Sequence, residues 1–217
     1  MNVSDAVAQR KSIRNYLDKP VDSSLLQKLL EQAARAPSGG NLQPWHVYVV
    51  NGPRMADFQS HLEASNSREQ PAYDIYPANL QEPYRSRRFK VGEDMYALLG
   101  IPREDKSARF AHLARNFAFF GAPAGFFCYV DKTMGPPQWS DLGMFLQTFM
   151  LLAQEAGLAT CAQEAWATRP QAVSSFVNAP KEQMLFCGMA VGYANPEASV
   201  NNLVSDRGPF SEWGQFV

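Results

Sequence analysis

The run over residues 125–131, GFFCYVD, most constrains what this chain can fold into. It is apolar without alternation until its last residue. A strand of that kind is covered on both faces, which places it centrally in a sheet. A long helix follows. Ser140 reads as its N-cap, and Leu142, Phe145, Leu146, Phe149, Leu152, Ala153 and Ala156 form a stripe too broad for a helix with a single dry side. Gly157 stands where a left-handed residue ends such a helix.

The other elements arrange themselves around this pair. Asp22 and Ser23 are good caps for a helix whose stripe is Leu25, Leu26, Leu29, Leu30, Ala33 and Ala34, closed by Pro37. Residues 45–50, 158–161 and 184–193 read as strands. Residues 53–64, 106–120 and 169–178 read as helices, the second with Phe110, Leu113, Phe117 and Phe120 along one side. Helices and strands mix without strict βαβ alternation, so the expected class is α+β. Residues 65–104 differ in character, with Pro71, Pro77, Pro83 and Pro102, many tyrosines and the basic run Arg85, Arg87, Arg88, Lys90. They read as an insertion of short helices and loop within one domain, 1–217. The basic run is either a solvated face or a cover over a substrate site. The aromatic tail, 195–217, has no packing partner visible in the sequence and suits wrapping around a second subunit.

Composition narrows the function classes. Of the 217 residues 46% are hydrophobic and 19% charged, with a formal net charge of −1. This supports a sizeable core and gives no reason to expect nucleic acid or an anionic membrane as partner. The longest apolar stretch, 117–130, is interrupted by Gly121, Pro123 and Gly125 and is too short to span a bilayer. The N-terminus does not read as a signal peptide. Three widely spaced cysteines, Cys128, Cys161 and Cys187, suit buried apolar positions in a reducing cytoplasm rather than a disulfide framework or a zinc site. Rossmann, P-loop and nucleophile-elbow motifs are absent, and His46, His61 and His112 lack metal-ligand spacing.

Three segments exceed what structure alone requires. In R-K-S-I-R, an extended backbone sends Arg10, Ser12 and Arg14 the same way, with Lys11 between. Guanidinium groups flanking a hydroxyl suit a phosphate or an electron-rich ring edge. The loop from Pro37 through Ser38, Gly39, Gly40 and Asn41 to Pro44 has more backbone freedom than a helix-to-strand connection needs. It is a capped turn or a place where backbone approaches a ligand. Gln163 and Glu164 follow a buried-looking strand directly, and Ser205 and Arg207 pair a hydroxyl with a cation near the C-terminus.

Taken together, R-K-S-I-R-N-Y, A-P-S-G-G-N-L-Q-P-W-H, W-S-D-L-G-M-F-L-Q-T-F-M-L-L-A-Q-E-A-G-L-A-T-C, the Gln163-Glu164 pair and G-Y-A-N-P…N-N-L-V-S-D-R-G-P-F resemble the FMN-dependent nitroreductase family. The insertion, with Y-R-S-R-R-F-K-V-G-E-D-M-Y-A-L-L-G-I, is similar to the bacterial branch that includes nitrobenzoate reductases. The resemblance implies a mixed sheet flanked by helices, an intertwined homodimer and tightly bound FMN at the dimer interface. NAD(P)H is the implied co-substrate and a nitroaromatic or quinone the implied acceptor, in a ping-pong exchange. Arg10 and Arg207, with Ser12 and Ser205, match phosphate positions, and Lys11 lies among them. Arg14 matches a basic position near the pyrimidine edge, and Gln163 and Glu164 match the segment facing flavin N5. Arg14 and Glu164 are thus the residues expected nearest the reaction. Pro37, Ser38, Gly39 and Asn41 match a segment reaching over the flavin held mainly by the other subunit. Tyr73, Tyr76, Tyr84, Phe89 and Tyr96 are pocket candidates, several of them expected to be plain packing. Ala162 and Ala165 replace the proline and glycine of many relatives, which leaves substrate size open. Other flavin chemistry on the same scaffold (dimethylbenzimidazole synthesis, dehalogenation, enoate reduction) and a non-catalytic flavin-binding dimer are the alternatives.

Overall fold

A computed structural model describes residues 1–65 and 68–217. Four strands, β1 (His46–Asn51), β2 (Ala124–Asp131), β3 (Ala159–Gln163) and β4 (Gln183–Gly192), form one sheet in the order β1-β2-β4-β3. Their ladders are antiparallel, and an isolated parallel bridge from Ser12 to Thr160 joins the N-terminal segment to the sheet. The apolar run of β2 is central, as its pattern requires. Ala124, Phe126, Cys128 and Val130 point to one face, and Phe127 and Tyr129 to the other. A register shift opposite Cys128 and Tyr129 leaves Phe186 as the extra residue of β4.

Seven helices are described: α1 (Val3–Gln9), α2 (Ser23–Ala33), α3 (Pro53–Ala64), α4 (Tyr84–Leu98), α5 (Lys106–Ala114), α6 (Pro136–Glu155) and α7 (Pro170–Val177). Helices α2 and α6 cover one face through Leu26, Leu29, Leu142, Phe145 and Phe149. On the other face Phe58 of α3 and Val173 of α7 pack with Phe119, Phe127 and Trp166. No described helix is long and apolar enough to cross a membrane.

Three expectations change. Helix α6 begins at Pro136 behind Gly135, because proline suits the first helical turn. Ser140 therefore lies inside it, its hydroxyl donating to the Pro137 carbonyl at 2.6 Å. The span 106–120 is not one helix. After Ala114 it tightens into a 3-10 segment in which Phe119 (φ 47°) and Phe120 (φ 56°) turn left-handed. Phe119 and Phe120 are thereby buried, while Phe110 and Leu113 stay exposed. The insertion contains α4, fifteen residues long, rather than short helices only. The insertion is anchored by Glu69, whose carboxylate pairs with Arg169 Nε at 3.0 Å and accepts from the N–H groups of Gln171 and Ala172 at the start of α7.

Candidate functional site

The N-terminal segment leaves α1 at Arg10 and runs along the sheet edge. Ile13 N–H donates to the Thr160 carbonyl at 3.0 Å, and the Ile13 side chain is buried. With Ile13 turned inward, Ser12 and Arg14 face the opposite way, as the alternation requires. Buried Asn201 clamps the segment. Its Oδ1 accepts from Arg14 N–H at 2.9 Å, its carbonyl accepts from Lys11 Nζ at 2.8 Å, and its Nδ2 donates to the carbonyls of Asn15 and Asn195. Asn201 opens the N-N-L-V-S-D-R-G-P-F motif, but the sequence assigned it no role. Its signal, a second asparagine beside Asn202, carries no periodicity.

A cavity of about 570 Å³ opens there, lined by Arg10, Lys11, Ser12, Arg14, Ser205 and Arg207 together with Val91, Gln147 and Leu203. Four cations and two serine hydroxyls face it, with no carboxylate in its walls. Arg207 Nη1 donates to Ser205 Oγ at 2.8 Å and to the Ser205 carbonyl at 3.0 Å, which leaves other guanidinium N–H groups free to point elsewhere. A second cavity, about 450 Å³, shares Arg14, Val91 and Leu203 with the first. Gln163, Glu164, Ala165, Asn116, His112, Tyr76 and Arg88 line it. So two sequence segments separated by nearly the whole chain, and the turn after β3, meet around Arg14.

The Gln163 side chain is committed inward. Its Nε2 donates to the Asn116 carbonyl at 2.9 Å, and its Oε1 accepts from Trp166 Nε1 at 3.3 Å. What it offers the cavity is a backbone held firmly in place. Glu164 opens a 3-10 turn over Glu164–Thr168, and loss of hydration pushes its carboxyl above the usual range although the residue as a whole is exposed. His112 is 6% exposed, and its Nε2 has no hydrogen-bond partner. Burial, then the Arg115 and Arg14 cations, pull its pKa below 6.5 and favour the neutral ring. Asn116 and His112 were not read as cavity residues either: neither stands in one of the motifs, and His112 was weighed only for metal-ligand spacing.

The loop of Pro37, Ser38, Gly39 and Asn41 lines neither cavity. Within one chain it is a capped turn: Gly39 N–H donates to both oxygens of the buried Asp141 carboxylate at 3.3 Å, and Gln43 N–H donates to Ser38 Oγ at 3.0 Å. Gly40, Asn41 and Gln43 are left-handed, which accounts for the glycine and asparagine. Of the aromatic candidates Tyr76 lines the second cavity. Tyr73 packs on Trp139 and Phe186, Tyr96 is buried against His112, and Tyr84 and Phe89 are exposed.

The Nitroreductase family model matches residues 7–193, most of the chain. This chain belongs to the Nitroreductase family. A 4-nitrobenzoate reductase of Pseudomonas putida is 36% identical over 202 residues, covering 93% of this chain and 89% of the relative. Among solved structures, the FMN and NADPH-dependent nitroreductase NfnB from Sphigopyxis sp. strain HMH is 45% identical with a TM-score of 0.95, covering 100% of this chain and 99% of that one. The FMN-dependent nitroreductase NfnB from Mycobacterium smegmatis, in complex with NADPH, superimposes over the full length of both chains with a TM-score of 0.91 at 26% identity. The α+β fold is therefore the nitroreductase fold.

Proposed function

We propose that this nitroreductase-family chain is an FMN-dependent oxidoreductase that uses NAD(P)H to reduce a nitroaromatic or quinone acceptor. One observation carries the reading: a basic, carboxylate-free cavity adjoins, through Arg14, the cavity that holds the Gln163-Glu164 turn. The residues fit the cofactor. Arg10, Lys11 and Arg207, with the hydroxyls of Ser12 and Ser205, form an anion site suited to a phosphate. Bound FMN supplies the hydride relay between donor and acceptor. Arg14 holds a positive charge where the two cavities meet and so favours the electron-rich form of the ring. The Gln163-Glu164 turn, its Gln163 side chain fixed through Asn116 and Trp166, would lie against the ring. Neither a side-chain acid nor a base is needed for hydride transfer itself, which accords with the absence of a catalytic triad motif.

The Pro37, Ser38, Gly39 and Asn41 loop is proposed to reach the partner's cavity in a homodimer. Its position outside its own chain's cavities supports that assignment. Three buried, unpaired cysteines accord with a reducing cytoplasm as its home.

The deciding experiment is a visible absorption spectrum of the purified protein, followed by anaerobic addition of NADH and then NADPH. A flavin spectrum that bleaches supports the reading and names the preferred donor. A colourless protein that takes up no added FMN overturns it, and the roles of Arg10, Arg14 and Arg207 fall with it.

A further inference from the structure

Helix α4 turns four residues at helical spacing, Arg88, Val91, Gly92 and Met95, toward the cavity that contains Gln163 and Glu164. Three of them are apolar or lack a side chain, and a Cβ added at Gly92 would meet nothing within 4 Å. The wall is therefore smooth and roomy beside one cation. The other cations of the basic run are paired: Arg85 with Glu82 at 2.8 Å, Arg87 with Glu212 at 2.5 Å, and Lys90 with Asp94 at 2.6 Å and Asp206 at 2.8 Å. Among the described residues Arg88 pairs with no carboxylate. Its guanidinium lies over the Tyr76 ring, 4.1 Å from the centroid, which steadies it without neutralising it. Arg14 and Arg88 face this cavity against one carboxylate, Glu164.

We propose that Arg88 is a specificity-determining residue that binds a carboxylate carried by the aromatic acceptor, whose ring lies along Val91, Gly92 and Met95. Arg88 thereby selects carboxylated nitroaromatics over uncharged ones of the same shape. A guanidinium resting on an aromatic ring presents its fork edge-on, the geometry that holds both oxygens of a carboxylate. This inference rests on the proposed function.

The test compares 4-nitrobenzoate with the uncharged, near-isosteric 4-nitrobenzamide in the FMN-loaded protein, using wild type, Arg88→Gln and Arg88→Lys. Arg88→Gln should raise KM for 4-nitrobenzoate about tenfold or more, the size expected for a lost charge-assisted hydrogen-bonded pair. The KM for 4-nitrobenzamide, kcat and the rate of flavin bleaching by NAD(P)H should be unchanged. Arg88→Lys should recover part of the loss. Equal effects on both acceptors, no effect on either, or a change confined to KM for NADPH would overturn the proposal, the last by placing the donor's phosphate on Arg88. Calorimetric binding of benzoate and benzamide to the same three proteins gives a readout without turnover. There Arg88→Gln should weaken benzoate alone. A wild type that binds benzoate through Arg88 yet never bleaches with NAD(P)H would refute the oxidoreductase reading and leave the carboxylate site standing.

Discussion

Replacing Gly188 by alanine measures how far the sheet itself holds the site in shape. A Cβ at Gly188 overlaps Trp166 Cδ1 and lies 2.7 Å from Trp166 Nε1. The indole has nowhere to retreat. It is fully buried, with the rings of Phe58, Phe117, Phe119 and Phe127 centred 5.4, 5.3, 4.9 and 5.1 Å away. Overpacking of a tight core costs about 1–3 kcal/mol. If the indole turns, the bond from Nε1 to Gln163 Oε1 is lost as well, a further ~1 kcal/mol. Together these give about 2–4 kcal/mol, or a fall in Tm of roughly 4–16 °C for a chain of this size. Thermal unfolding of the apoprotein followed by circular dichroism reads the stability, and FMN titration should show weaker binding, because Gln163 then loses one of its two anchors. The same chemical change at Gly92, in mid-helix with open space around it, should instead stabilise by about 0.5–1 kcal/mol. A Gly188→Ala protein with the wild-type Tm and FMN affinity would refute this coupling of β4 to the site.

Other perturbations separate the remaining roles. Arg169→Ala leaves the Glu69 carboxylate, whose side chain is 2% exposed, without its cation and should cost about 3–5 kcal/mol in a denaturant titration; a loss under 1 kcal/mol would show that the α7 N–H groups suffice. The lowered pKa of His112 means that the native state binds fewer protons there than the unfolded chain does. Its contribution is therefore intact at neutral pH and is lost as pH falls from 6.5 through the lower folded value. His112→Phe should flatten that part of the acid limb, and identical slopes in the two proteins would remove His112 from it. Arg14→Ala should lower the potential of bound flavin by tens of millivolts, where about 30 mV corresponds to 1.4 kcal/mol for a two-electron couple. Redox titration against a reference dye measures this, and an unchanged potential would take Arg14 out of that role.

What the sequence made legible followed from local rules. Asp22 caps α2 through its side chain, Pro53 and Ala64 bound α3, and Gly157 (φ 75°) follows α6 in the left-handed form its position implied. Arg10, Ser12 and Arg14 share a face because strand alternation is a property of five consecutive residues. Long-range features were less accessible. Nothing near Ser140 says that Pro136 offers an earlier start. Asn201 acquires its importance only when the chain returns to residue 14. The inward register of α4 was hidden because its exposed and cavity-facing positions are both polar in places, so no apolar stripe marks one side. The Pro37–Asn41 loop was read as unusual from composition alone, yet its backbone is explained within one chain by Asp141, more than a hundred residues away.

The two ends of the hollow are fastened to the protein very differently. The basic end is built largely on a segment hydrogen-bonded to the sheet and locked by a buried asparagine, with Ser205 and Arg207 added from the tail. Helix α4 buries only Tyr96 and is held to the tail by exposed ion pairs, Arg87 with Glu212 and Lys90 with Asp206. Exposed pairs contribute little stability and are screened by salt. Substitutions at the cavity-facing positions of α4 are therefore cheap to the fold, while substitutions at buried Ile13 or Asn201 are not. A lineage carrying this architecture can drift in what its outer wall accepts while its inner wall stays fixed, so new acceptor preferences are open to it by single changes at positions such as 88, 92 and 95.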